Sequence, residues 1–226
     1  MSTMNLTFAD GIHHLILTDG DAGNALRTSV FDEYLSAIEE VKSFKGNTAL
    51  LVTSDHEKTF STGIDLEWLM QQDADGMKGF ADAVARCLLE LATLDVPTVC
   101  AINGNAYAAG AIIPCTFDFR LMREDRGRFC FPEVNINVPF EEVSMACARL
   151  VPAPQAIEEM IYTGVAFTGV ECLEKGIVSS IHSLESLGES AKLLAMEMAK
   201  KDRTTFSQIK KVYRKDIYAL KERRLG

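Results

Sequence analysis

The chain has 226 residues, 47% of them hydrophobic, and a formal charge of −9. That length builds one domain with a full-sized core, alone or with a helical appendage. The acidic balance argues against general nucleic-acid binding, though not against an anionic ligand held by local N–H donors.

Met1 is followed by polar Ser2 and Thr3 rather than by a basic and then apolar leader, so neither a signal peptide nor a membrane span is expected. Residues 5–9 and 12–18 flank Asp10-Gly11 and read as a hairpin, for which a DG pair suits the tight turn. His13 and His14 are neighbours, so in a strand they face opposite ways and cannot readily share a metal. A loop, DGDAGNAL, leads into a helix predicted over 28–44 with Phe31, Leu35, Ile38 and Val41 as its apolar face. Gly46 closes it, and Ala49–Val52 is the next buried strand. In DHEKTFSTGIDLEWLMQQ, Gly63 lies between a short strand-like TF and a helix opening at about Asp65. An amphipathic helix is predicted over 77–92, with Met77, Phe80, Ala81, Val84, Ala85, Leu88, Leu91 and Ala92 at core spacing.

Pro97 to Pro114, PTVCAINGNAYAAGAIIP, is the stretch around which the rest is organised. VCAI reads as a buried strand, Asn103-Gly104 as a turn, and the small residues beyond it as the start of a helix. Small side chains let backbone approach backbone or ligand closely. A strand that turns into a helix start also aims free N–H groups at one spot, which suits holding an oxyanion. Close helix packing without a ligand explains the same residues.

TFDFRLM then reads as a strand ending in the charged cluster REDRGR, and FCFPEVNINVPFEE as an irregular, ordered loop. Helices are predicted over 140–150 and 154–162, followed by a turn, a short helix and a return strand in GVECLEKGIVSSI. Two last helices are predicted over 184–200 and 204–222, the second presenting Phe206, Ile209, Tyr213, Ile217 and Leu220 on one face. The six cysteines, at 87, 100, 115, 130, 147 and 172, form no C-x-x-C pair and read as reduced core residues of a cytoplasmic protein.

Few side chains offer chemistry. Ser61 lies in no nucleophile elbow, and the four histidines form no metal-ligand pattern, so no metal site is expected. Asp65 sits where a helix cap is the simpler explanation. Glu133 lies between Pro132 and Val134 in an apolar loop; withdrawal from water would raise its pKa toward a value useful for moving a proton. A buried, hydrogen-bonded structural glutamate fits that pattern equally well.

Four segments, NAL at 24–26, TFSTGIDL at 59–66, AINGNAYAAG at 101–110 with FDFR at 117–120, and FCFPEVNINVPF followed by YTGVAFTGVECLEKGIVSSI, resemble the crotonase superfamily, the enoyl-CoA hydratase/isomerase family. The resemblance runs from Leu6 to about Leu220. It implies an α/β fold, a spiral of ββα units over 1–182, with a C-terminal helical region at 183–226 that builds a trimer or a dimer of trimers. It further implies an acyl-CoA thioester as substrate, with coenzyme A part of that substrate and no separate cofactor. Two backbone N–H groups would hold the thioester oxygen: that of Ile64, after Gly63, and that of Ala109, before Gly110, where many relatives carry Gly.

The departures from the family pattern narrow the reaction. Hydratases of the family use two glutamates; the downstream one is matched by Glu133, but the other position is Ile112, which cannot position or activate water. A single base facing an enolate suits a double-bond shift, and the chain is most similar to the Δ3,Δ2-enoyl-CoA isomerase group. Trp68, Leu69, Phe80 and Phe140 are the residues expected along the acyl tunnel, though each suits plain core as well. Arg27, Lys58 and basic residues of the last helix, with Asp65 on the loop, are those expected along CoA. The alternatives are another crotonase-type enzyme, a hydratase or thioesterase, and a non-catalytic acyl-CoA-binding protein.

Overall fold

The structure, a computed structural model, describes residues 2–226. β1 (Met4–Ala9) and β2 (Ile12–Leu17) form the antiparallel hairpin. Its turn residues, Asp10 and Gly11, have φ of 55° and 80°, the pair of left-handed conformations that a two-residue turn of matching twist requires. After α1 (Thr28–Ser43) one pattern repeats three times. β3 (Ala49–Ser54) and β4 (Thr59–Ser61) precede α2 (Leu66–Leu69) and α3 (Ala74–Ala92). β5 (Thr98–Ile102) and β6 (Asn105–Tyr107) precede α4 (Ala109–Cys115). β7 (Phe119–Arg123) and β8 (Phe129–Cys130) precede a 3-10 turn (Glu133–Ile136) and α5 (Glu142–Ala148). The chain continues through α6 (Pro154–Thr163), β9 (Ala166–Phe167), α7 (Gly169–Glu174), β10 (Ser180–His182), α8 (Leu184–Met198), α9 (Arg203–Tyr213) and α10 (Lys215–Leu225).

Each repeat sends its first strand to one sheet and its second to another. The larger sheet has the order β1-β2-β3-β5-β7-β10 and is parallel beyond the hairpin; the smaller is β4-β6-β8-β9, parallel through its first three strands. This is the α/β spiral of ββα units, followed by C-terminal helices. One face of the larger sheet packs on α8, whose Ala191 and Ala195, with Ala199 just past its end, recur every four residues and let the helix approach Ala49, Leu51, Val99 and Ala101 closely. The other face contributes Leu50, Val52, Cys100, Ile102 and Met122 to the main core, with α1, α3 and α4.

Several sequence expectations need correction. The turn after β5 leads not directly into a helix but through β6, and β8 and β9 are two-residue strands; runs this short carry too few side chains to register a period of two. Met77 lies in the exposed first turn of α3, which starts earlier than its apolar pattern because the Asp73 side chain caps it by accepting from Gly76 N–H at 2.8 Å; Ala81 is exposed as well. The helix expected over 204–222 breaks at Arg214, and Ile209 and Tyr213 face solvent. The inward face of α9 is cationic. Lys210 Nζ donates to the Leu94 and Val96 carbonyls at 2.9 and 3.0 Å. Arg214 donates to the carbonyls of Ala92 and Thr116, and Asp118 pairs with both cations at 2.7 and 3.0 Å. Hydrogen-bonded cations occupy the place that amphipathic patterning reserves for apolar side chains.

The uncharged stretch from Val96 to Phe117 is divided among β5, β6 and α4, and no helix among the described residues is long and apolar enough to cross a membrane. All six cysteines are buried and free.

Candidate active site

β4, β6 and β8 are adjacent and parallel, so their carboxyl ends lie side by side, the edge at which α/β sheets present ligand sites. The chain leaves those three ends into the loops carrying Ile64, Ala109 and Glu133.

The first loop is held from both sides. Leu26 N–H donates to the Gly63 carbonyl at 2.8 Å and Asp65 N–H to the Leu26 carbonyl at 3.0 Å. This one-residue parallel bridge leaves the N–H of Ile64 itself facing away from Leu26. Asn24 anchors the NAL segment, its Nδ2 donating to Ser54 Oγ at 3.0 Å and the Phe60 carbonyl at 2.8 Å.

The second loop is fixed by Ala108. Its N–H donates to the Cys130 carbonyl at 3.0 Å, and its φ of 51° with ψ of −128° is a conformation that residues with a Cβ seldom adopt. It turns the chain so that Ala109 opens α4. Neither Ile64 N–H nor Ala109 N–H has a backbone acceptor among the described residues.

The two loops touch through backbone. A Cβ on Gly63 would stand 2.6 Å from the Tyr107 carbonyl oxygen, and one on Gly110 would stand 2.6 Å from the Ser61 carbonyl oxygen. Both glycines are therefore required by close approach.

Ile64, Ala109, Ile112, Glu133 and Phe140 line one cavity of about 620 Å³. Phe80, Val84, Val138 and Val143 make much of its remaining wall apolar. Four carboxylates reach it, from Asp32, Asp82, Glu133 and Glu141, and of these only Glu133 is buried, at 7% exposure. Glu133 Oε2 has no hydrogen-bond partner. Burial raises its pKa above the ordinary glutamate value, offset in part by a backbone hydrogen bond. Among the described residues no cation pairs with it, so the carboxylate accepts a proton more readily than one in water. Ile112, 3% exposed, contributes alkyl surface to the same cavity.

The other expected residues lie around the cavity rather than on it. Gly63 and Gly110 set the contact between the loops. Asp65 caps α2, accepting from Trp68 N–H at 2.8 Å, and also pairs with Arg27 at 2.7 Å; those two contacts, in that order, hold its carboxyl below its ordinary pKa. Arg27 is half exposed beside this loop. Lys58 is exposed, and its backbone carbonyl accepts from Asn105 N–H at 3.0 Å. Trp68 and Leu69 pack on the core from behind the cavity wall, the Trp68 ring 5.6 Å from that of Phe80. Sequence reasoning missed Thr28, Ser144, Leu225 and, individually, Arg224 as lining residues. The signal for the last two was the basic end of α10, whose Arg223 and Arg224 pair with Glu142 of α5 near the cavity mouth.

A family model described as enoyl-CoA hydratase/isomerase matches residues 7–225. Enoyl-CoA delta isomerase 3 of Arabidopsis thaliana is 30% identical over 189 residues, covering 78% of this chain and 79% of the relative. Carnitinyl-CoA dehydratase of Salmonella typhi is 32% identical over 169 residues, 73% of this chain and 62% of the relative. Among solved structures, an enoyl-CoA hydratase/isomerase family protein from Pseudomonas syringae superposes with a TM-score of 0.87 at 20% identity, covering 95% of this chain and 91% of the other. A probable enoyl-CoA hydratase from Mycobacterium tuberculosis gives 0.88 at 22% identity, covering 95% and 89%.

Proposed function

This chain belongs to the enoyl-CoA hydratase/isomerase family as a crotonase-type acyl-CoA enzyme, and within that family we propose that it moves the double bond of a 3-enoyl-CoA to the 2-trans position. The thioester oxygen accepts from Ile64 N–H and Ala109 N–H. Glu133 carboxylate takes a proton from C2, the C2–H bonding electrons become part of a thioester dienolate, and the two N–H groups stabilise its oxyanion. The protonated Glu133 then returns the proton at C4, which leaves the double bond between C2 and C3. No water is consumed and the carboxylate is regenerated.

One observation carries this reading: among the described residues the only buried carboxylate on the cavity wall, Glu133, has an unpartnered oxygen, and Ile112, which the family resemblance matches to the second acid of hydratases, lines the same cavity with an alkyl group. Hydration needs a positioned water, and an alkyl group cannot hold one. The likeness to delta isomerases supports the same choice; the likeness to a carnitinyl-CoA dehydratase names the rival chemistry.

CoA runs along the Gly63–Asp65 loop, with Arg27, Lys58 and Arg224 as cations for its phosphates. The outward row Ile209, Val212 and Tyr213 on α9 is the surface through which copies of the chain associate, as a trimer or a dimer of trimers.

The test offers wild type both 3-hexenoyl-CoA and 2-trans-hexenoyl-CoA and follows the absorbance of the conjugated thioester. Growth of that absorbance from the first substrate with no loss from the second is the expected result. Loss from the second, faster than growth from the first, overturns the isomerase in favour of hydration. Ile112→Glu supplies the missing acid, and the expected consequence is hydration measurable above wild type.

A further inference from the structure

TFDFRLM and KKVYR, neither of which the first cavity uses, bring three cations together. Arg120 of β7, Lys210 of α9 and Arg214 just past it are 5%, 4% and 8% exposed. All three line one pocket of about 250 Å³ between α9, the loop joining α5 to α6, and the start of β7. This pocket shares no lining residue with the first cavity.

One carboxylate serves all three. Asp118 pairs with Lys210 and Arg214, and among the described residues no carboxylate pairs with Arg120. The Phe117 carbonyl accepts from Arg120 Nη1 at 2.6 Å and from Arg214 Nη2 at 3.3 Å, so two guanidinium groups share a single oxygen. Burial above all, and the charge of Arg214 with it, lowers the Arg120 pKa from the ordinary guanidinium value, although the group stays protonated. Arg120 Nε donates to the Ile177 carbonyl at 2.9 Å. Its Nη2 has no partner among the described residues, and the buried polar atoms left without one are Asn103 Oδ1 and Glu133 Oε2 alone. Nη2 therefore reaches accessible surface, and the pocket that Arg120 lines receives it.

Buried charge is ordinarily paired, and a guanidinium with free N–H groups is suited above all to a carboxylate. The rest of the lining defines the body that carries it. Phe119, Leu150, Pro152 and Phe206 offer apolar surface, which an inorganic anion would leave uncovered. A space of 250 Å³ is smaller than the roughly 300–1,000 Å³ that drug-sized ligands occupy, so the body is one ring or a short chain. Ile209 and Tyr213 at the rim belong also to the outward row of α9, whereas Val212 does not line the pocket, which thus opens at the edge of that row.

The structure assigns this pocket as a binding site for a small organic carboxylate with an apolar body of about one ring. A carboxylate oxygen accepts from Arg120 Nη2, the negative charge offsets the excess of cations, and the ring lies against Leu150 and Phe206.

Benzoate is the probe, titrated by calorimetry at 0.15 M NaCl into wild type, Arg120→Gln and Pro152→Glu. Benzamide is its uncharged counterpart, circular dichroism the fold control, and light scattering reports mass. Pro152 is exposed in a loop at the rim, so Glu there sets a fixed carboxylate beside the pocket without removing a buried donor. The expected result is one saturable site for benzoate in wild type, with benzamide weaker about tenfold or more. Affinity for benzoate should fall by about tenfold or more in Pro152→Glu and in folded Arg120→Gln. If Arg120→Gln does not fold, Pro152→Glu decides alone. Four results overturn the proposal. They are no saturation by benzoate up to about 10 mM, benzamide bound as tightly as benzoate, and benzoate affinity unchanged in Pro152→Glu, as binding in the first cavity gives. The fourth is no benzoate binding together with a smaller mass for folded Arg120→Gln, which assigns the missing anion to a second copy of the chain. The site stands or falls independently of the reaction in the first cavity.

Discussion

Glu133→Gln separates the base from the packing around it. The amide has the volume of the acid, and because Oε2 has no partner, no hydrogen bond at that oxygen is broken. Lost activity therefore reports lost proton transfer. General-base catalysis contributes about 10²–10⁴-fold, or about 2.7–5.4 kcal/mol of barrier. A fall in kcat of that size on 3-hexenoyl-CoA is expected, with binding of CoA thioesters retained. Stability moves the other way. Burial raises the folded-state pKa of Glu133 above its unfolded value, so the folded protein binds the extra proton more readily. The stability from that proton is fully present below the ordinary glutamate pKa and is lost as pH rises through the folded-state value. Gln cannot ionise. The melting temperature of Glu133→Gln should match wild type near pH 4 and exceed it at neutral pH. In wild type, kcat/KM should rise with pH through an inflection above the ordinary glutamate value. A mutant within about threefold of wild type in kcat would refute the single-base scheme, and a melting difference independent of pH would refute the burial argument.

Ala108→Gly should raise stability by about 1 kcal/mol, because relief of an unfavourable positive-φ conformation outweighs the extra freedom of the unfolded chain. A fall in melting temperature would show that the turn is unstrained. Asp118→Asn leaves Lys210 and Arg214 buried without a counter-charge and should cost about 3 kcal/mol in urea denaturation. A cost under about 0.5 kcal/mol would mean that the backbone carbonyls alone hold both cations. Tyr213→Asp adds charge to the exposed row of α9, where Tyr213 is 80% and Val212 77% exposed. Light scattering should find smaller assemblies than wild type; unchanged mass would assign association to another surface.

The long elements were legible because their periodicity is strong. The helix predicted over 28–44 is α1 to within a residue at its end, and the β5 strand is one residue longer than VCAI. What escaped were β6, β8 and β9, whose two or three residues are held by neighbours on a sheet rather than by any local pattern. α9 was misread for a different reason. Patterning assumes that the inner face is apolar, whereas Lys210 and Arg214 enter the core by donating to carbonyls at the ends of other elements, a match invisible until the chain is folded. At the candidate site, Ile64, Ala109 and Ile112 came from the resemblance to the family, and Glu133 from that resemblance together with its place in an apolar loop. Arg224 and Leu225 did not, since a distance of nearly a hundred residues separates them from Glu133 in sequence and α10 alone brings them back.

Because the chain presses on Tyr107 and Ser61 at Gly63 and Gly110, the spacing of the loops that carry Ile64 and Ala109 is set largely by backbone contact. Neither Ile112 nor Phe140 takes part in that contact, so exchanging either would reshape the cavity wall and leave the spacing of the loops in place. On the proposed reaction, acyl-chain preference would then be tunable at the cavity wall without disturbing the two N–H groups.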